Sequence, residues 1–115
     1  MSNDSTEYSQ KVDRAELERI ESRLLNDPQN LELMDWVAFM FYSNGVPDKA
    51  IEYYRRLAAA RPRNASYQYF LGNLHQQQGE LEPARECWNQ VVSLDLEGEY
   101  AARARRKLAS LPDES

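Results

Sequence analysis

The sequence predicts an all-α protein, and three observations carry that prediction. Apolar residues recur at helical and not alternating spacing, a 34-residue offset lays one part of the chain over the next, and glycines and prolines sit where helices have to turn or begin. Met34, Val37, Ala38 and Phe41 follow i, i+3, i+4, i+7, while Ala50, Tyr54, Leu57 and Ala58 follow i, i+4, i+7, i+8. Either pattern gathers its apolar side chains on one side of a helix.

The offset runs without a gap. Residues 31–64 laid over 65–98 bring Gly45 onto Gly79, Ala50 onto Ala84, Glu52 onto Glu86, Tyr54 onto Trp88 and Val37-Ala38 onto Leu71-Gly72. Pro28 and Pro62 extend the register backward, inside the similar tetrapeptides Asp27-Pro-Gln-Asn and Arg61-Pro-Arg-Asn. Six helices follow, at 12–26, 31–44, 47–60, 65–78, 81–94 and 98–111. Gly45 and Gly79 end the first helix of each unit, as glycine does in a left-handed conformation just past a helix end. Pro47 and Pro83 stand near the start of the next helix, where a missing N–H costs little. Pro62 closes the second helix of its unit and drives Arg61 out of helical geometry. The predicted organisation is one domain over 12–111: a half-repeat or capping helix at 12–30, repeats at 31–64 and 65–98, and a capping helix at 99–111. Residues 1–10 and 112–115 are expected to be disordered tails.

Composition narrows the function classes. Hydrophobic residues at 42% against 29% charged, with only 4 Gly and 5 Pro in 115 residues, describe a folded, helix-rich chain. The formal charge of −5 repels phosphate backbones and argues against nucleic acid as a partner. That charge is uneven, because residues 1–35 hold nine acids and four bases while residues 99–115 hold four bases and three acids. The lone Cys87 excludes an intrachain disulfide and any multi-cysteine metal site, and the lone His75 excludes a histidine pair. No stretch approaches a membrane span, and the polar, acidic N-terminus leads us to expect a cytoplasmic protein.

Catalytic chemistry is not expected. Glu16, Glu18 and Glu21 alternate with Arg14, Arg19 and Arg23 along one helix, which reads as surface ion pairing and not as paired acid/base carboxylates. His75 and Cys87 occupy packing slots, and neither a glycine-rich phosphate loop nor a Gly-x-Ser-x-Gly turn occurs. No catalytic residue, cofactor or metal is expected.

Both 34-residue units resemble the tetratricopeptide repeat, whose pattern is Trp-x2-Leu-Gly-x2-Tyr in the first helix, Gly between the helices, Ala-x3-Phe in the second and Pro at the end. The first unit matches through Val37, Ala38, Phe41, Gly45, Ala50, Tyr54 and Pro62, and the second through Leu71, Gly72, Gly79, Ala84 and Trp88. Met34 and Gln68 stand in place of the tryptophan, His75 in place of the tyrosine, Leu96 in place of the proline, and Leu57 and Val91 where alanine is preferred. The resemblance implies a right-handed superhelical stack of antiparallel helix pairs, two full units with an N-terminal helix and a C-terminal capping helix. Tyr100, Ala101, Ala104, Leu108 and Leu111 would form the apolar stripe of that cap, and Arg103, Arg105, Arg106 and Lys107 its solvent side or a basic patch.

The resemblance also implies where a ligand would lie. First helices of such repeats line a concave groove, which by register would present Asp35, Trp36, Phe39 and Tyr42 from the first unit. Tyr69, Phe70, Asn73, Gln76 and Gln77 would come from the second. Relatives that grip the acidic tails of heat-shock chaperones use lysine and asparagine there, whereas the matching positions here are Asp35, Phe39, Phe70, Tyr100 and Ala104. An apolar or aromatic partner segment is expected instead. Leu33–Tyr42 carries one charge in ten residues and is too short to span a bilayer, so its spare face calls for a cover. The function implied is a non-enzymatic adaptor or assembly factor; the alternative is a permanent subunit of a larger complex, or self-association through the same face.

Overall fold

The computed structural model describes residues 12–112, and among these the chain forms six helices and no strand. They are α1 (Arg14–Leu25), α2 (Leu31–Ser43), α3 (Pro47–Ala60), α4 (Ala65–Gln77), α5 (Leu81–Leu94) and α6 (Glu99–Ser110). The helical boundaries expected from spacing lie within two residues of these. The expected tail at 1–10 and all but Pro112 of the tail at 112–115 lie outside the described residues. The chain divides into two compact units between Tyr53 and Tyr54, inside α3. Repeat architectures favour such division, because each element contacts chiefly its neighbours in sequence.

In the first unit α1 starts where the Asp13 carboxylate accepts from the Glu16 backbone N–H at 2.9 Å. It buries Leu17, Ile20 and Leu24 and packs on α2. The Asn30 side chain caps α2 by accepting from Leu33 N–H at 3.0 Å. α2 buries Met34, Val37, Ala38, Met40 and Phe41, more than one stripe, as its near-continuous apolar sequence requires. The chain reverses at Gly45, whose φ of 77° is the left-handed conformation in which a Cβ is strained. Val46 N–H then closes the turn onto the Phe41 carbonyl at 3.0 Å. Asn44 ties the entry of α1 to this end of α2, accepting from Val12 N–H while donating to the Met40 carbonyl, both at 2.8 Å. On α3, Ala50 is wholly buried and Tyr53 stacks on Phe41 with ring centroids 6.2 Å apart.

One expectation is corrected in this unit. The surface pairs of α1 are Arg14–Glu18 and Arg19–Glu16, but Glu21 does not join them. Its carboxylate turns inward and accepts from Lys49 Nζ at 2.9 Å and from the Tyr53 hydroxyl, leaving the side chain 13% exposed. The reason is long-range: α3 brings a phenol and an ammonium to Glu21, and a partly buried carboxylate gains more from those donors than from a solvated arginine.

The second unit repeats the local devices. Asn64 caps α4 by accepting from Ser66 N–H at 3.1 Å, Gly79 has φ 77°, and Glu80 N–H returns to the His75 carbonyl at 2.9 Å. α4 lies against α5 so closely that a Cβ on Gly72 would come within 2.6 Å of Trp88 Cδ1. Trp88 is fully buried and forms a core with Tyr69, Ala84, Val91, Ala104 and Leu111. α6 supplies Ala104, and Leu111 follows at its C-cap, so the capping helix expected from its apolar stripe covers α4 and α5.

Two outcomes are expected. Ala50→Leu and Gly72→Ala each overpack a filled contact and should lower stability by about 1–3 kcal/mol, read as a urea midpoint shift at unchanged slope. A melting curve untouched by either would contradict the close approach. The second concerns Glu21: burial pushes its carboxyl up, but hydrogen bonds from Tyr53 and Lys49 and the charges of Lys49 and Arg14 outweigh that and hold it below its usual range. A carboxyl lowered in the folded state stabilises that state above its unfolded pKa and loses the contribution as pH falls through the folded value. Glu21→Gln should therefore cost on the order of 1 kcal/mol at pH 7. The gap to wild type should close below about pH 4 in urea titrations run across that range.

Candidate functional site

The groove residues expected from the register fall on α2 in the first unit and α4 in the second. On α2 the packed stripe leaves Asp35, Phe39 and Tyr42 together, spaced i, i+4, i+7, with Trp36 beside them. Asp35, Phe39 and Tyr42 are half-buried, while Trp36 is 42% exposed. Phe39 and Tyr42 have ring centroids 6.1 Å apart. Arg23 of α1 sets its guanidinium 5.6 Å from the Trp36 ring centroid, a cation–π contact that leaves much of the indole in solvent. Trp36 and Leu25, at the end of α1, are the exposed large hydrophobic residues of this unit among the described residues.

On α4 the expected residues separate by burial. Tyr69 and Asn73 are 8% and 7% exposed, Phe70 and Gln76 are half-buried, and Gln77 is exposed. Tyr69 joins the core under α6, so its ring is largely covered. The neighbouring Phe70 points its ring into a cluster drawn from three helices. Its centroid lies 5.2 Å from Tyr54 of α3, 5.7 Å from Tyr69 and 6.0 Å from Tyr100 of α6. Tyr69 and Tyr100 are themselves 5.3 Å apart. These separations suit edge-to-face and offset contacts, which hold each ring in one orientation. Spacing and register put Tyr100 both in the cap stripe and, with Phe70, among the positions matching the clamp, and put Tyr54 in the packing of the first unit; they do not join the three rings in one cluster. The available signal was their shared dependence on α4, which spacing within one helix does not reveal.

The basic residues of α6 go to different neighbours. Arg103 pairs with Glu99 and sits 5.2 Å from the Tyr100 ring centroid, and Lys107 Nζ is 6.0 Å from the Trp88 ring centroid. Arg105 donates to the Leu96 carbonyl at 2.6 Å, and Arg106 is exposed. Two of the four charges thus lie against aromatic faces.

The titratable packing residues are arranged for structure. His75 is 8% exposed with Nδ1 2.7 Å from Glu80 Oε1, so that nitrogen carries the proton donated to the carboxylate. Burial pushes the Cys87 thiol up, helped by Glu86 and opposed by Arg55, which disfavours the thiolate that nucleophilic chemistry needs. Among the described residues no group of three His, Cys, Asp or Glu side chains is placed to hold a metal ion. No helix among them is long and apolar enough to cross a membrane.

The family model described as Tetratricopeptide repeat matches residues 41–108, from the end of α2 to the last turns of α6 and more than half of the chain. No curated protein matches the sequence. The paired helices, the left-handed glycine turns and the Gly72–Trp88 contact are the physical content of that match. The chain belongs to the tetratricopeptide repeat family, whose repeats generally mediate protein–protein interaction.

Proposed function

We propose that this protein is a non-enzymatic adaptor or assembly factor that holds an apolar or aromatic segment of a partner protein against the aromatic face of α4, and that α2 carries a second such face in its own unit. The observation that carries the reading is Phe70, a half-buried ring kept in place by Tyr54, Tyr69 and Tyr100. A ring already ordered by its neighbours loses little rotamer freedom on binding, so more of its burial energy reaches the complex. Gln77, two turns further along the same face of α4, supplies an amide that can pair with the backbone of an extended or helical ligand, and Gln76 lies next to it in sequence. In the first unit Trp36, Phe39 and Tyr42 offer the same combination of apolar area and a polar edge, with Asp35 alongside. Covering one such ring contributes roughly 1.5–3 kcal/mol before ordering costs, and hot spots of interfaces are enriched in these residue types.

The test uses the purified chain as bait in extracts of its native cells, comparing wild type with Phe39→Ala/Phe70→Ala by quantitative mass spectrometry. A partner recovered by wild type should fall by about tenfold or more with the double variant, while circular dichroism retains the helical signal. Equal recovery by a folded double variant would overturn the proposal. Because the contact is apolar, binding should survive about 1 M salt, at which surface ion pairs are screened.

A further inference from the structure

Each slot of the first repeat has a counterpart 34 residues on, and one group of slots is filled in the first unit and vacated in the second. In the first, Met34, Phe41 and Tyr53 are buried, Phe41 and Tyr53 stack, and Tyr53 and Lys49 close the edge by donating to Glu21. The counterparts are Gln68 for Met34, His75 for Phe41, Cys87 for Tyr53, Pro83 for Lys49 and Arg55 for Glu21. A thiol replaces a phenol, an imidazole replaces a phenyl ring, and proline has no ammonium to close the edge. The result is a cleft of about 740 Å³ whose lining includes all five of those residues. Leu71, 4% exposed, adds apolar wall, and Leu81, 36% exposed, stands at its rim.

The electrostatics of the cleft select among occupants. Glu80, Glu82 and Glu86 face it against the single guanidinium of Arg55. Glu80 is engaged by His75 and Glu82 lies 3.8 Å from Arg85, whereas Glu86 has neither hydrogen bond nor ion pair among the described residues. An acidic ligand is repelled and a basic one is drawn in. The slot that Tyr53 fills in the first unit holds only the shorter Cys87 side chain here, so this part of the cleft suits a flat ring. His75 occupies the place from which Phe41 faces that ring in the first unit. Arg55 in the place of Glu21 turns an acceptor into a donor, which a phenol oxygen can accept.

We propose that this cleft receives an aromatic side chain, best a tyrosine, from a basic segment of a protein partner. The ring takes the space that Tyr53 fills in the first unit, and flanking lysines or arginines answer Glu86 and Glu82. The site shares no residue with the Phe70 cluster and stands whether or not that cluster binds a partner.

The test is a titration of the full-length, nitrogen-15-labelled protein with the capped tripeptide Lys-Tyr-Lys, followed by amide chemical shifts. Saturable changes are expected at His75 and over residues 80–87, with capped Lys-Ala-Lys and Glu-Tyr-Glu weaker by about tenfold or more. Cys87→Tyr, which rebuilds the internal plug, should abolish the response. Glu86→Lys, on an exposed side chain, should weaken it roughly fivefold, and Phe70→Ala should leave it unchanged. If Cys87→Tyr does not fold, Glu86→Lys and the peptide series decide. Equal binding of Lys-Ala-Lys, changes scattered over all acidic residues, or full affinity in Glu86→Lys would each overturn the proposal.

Discussion

The second unit depends on the approach of α4 to α5 at Gly72, where a Cβ would collide with the Trp88 indole. Trp88 is fully buried, and its Nε1–H finds no hydrogen-bond acceptor among the described residues. An unmade buried hydrogen bond costs about 1–3 kcal/mol. Covering an indole returns more than that, because the ring removes on the order of 200 Å² from water at about 25 cal/mol per Å². Packing therefore outweighs polarity at this point, and the glycine is what permits it. With α4 and α5 fixed at that distance, Ala104 of α6 and Leu111 at its C-cap can lie on the same core. The other side of α4 is left to carry Phe70. The candidate surface thus depends on a contact that faces away from it.

The two units share their local devices and differ in their long-range ones. Asn30 and Asn64 cap equivalent helices, Gly45 and Gly79 turn with the same φ, and Val46 and Glu80 close the turns through the same backbone bond. None of these requires knowledge of a distant partner. The slots that face another helix have diverged instead. Phe41 with Tyr53 and Glu21 with Lys49 fill the first unit, where His75, Cys87, Arg55 and Pro83 leave a cleft in the second. Because interactions in a repeat are largely between neighbours, a vacated slot weakens its own unit and little beyond it.

That division explains what could be read in the sequence. Helical spacing, the glycine turns and the proline starts located every helix within two residues, since each is decided by side chains within one or two turns of the boundary. Glu21 was misread because its partners lie 28 and 32 residues away, and a carboxylate beside arginines on one helix looks the same whether it faces water or α3. Tyr69 and Phe70 are adjacent, so their helical angles differ by only about 100°. Which ring enters the core is decided by α6, which covers Tyr69 and leaves Phe70 at the edge of the cluster. Of the cleft the sequence carries only changed residues in equivalent slots, such as Cys87 for Tyr53 and Pro83 for Lys49. Whether neighbours collapse into vacated space is a property of packing, and here the Gly72–Trp88 contact holds α4 and α5 in place beside it.

The charge distribution bears on both proposed surfaces. Cations on α6 that a residue count presents as a basic patch are partly committed, with Arg103 against Glu99 and Tyr100, and Lys107 over Trp88. The carboxylates around the cleft include one, Glu86, with no such commitment, and the chain as a whole carries −5. Beyond a Debye length of about 8 Å the net charge contributes little at physiological salt, but within it an uncommitted carboxylate still attracts a base. Rings then discriminate at contact, because stacking requires a flat group and a lysine stem cannot supply one. Charge therefore governs which segments approach and aromatic complementarity which of them stay. A basic segment bearing an aromatic residue meets both conditions, whereas the acidic tails that a lysine-lined groove would hold meet neither.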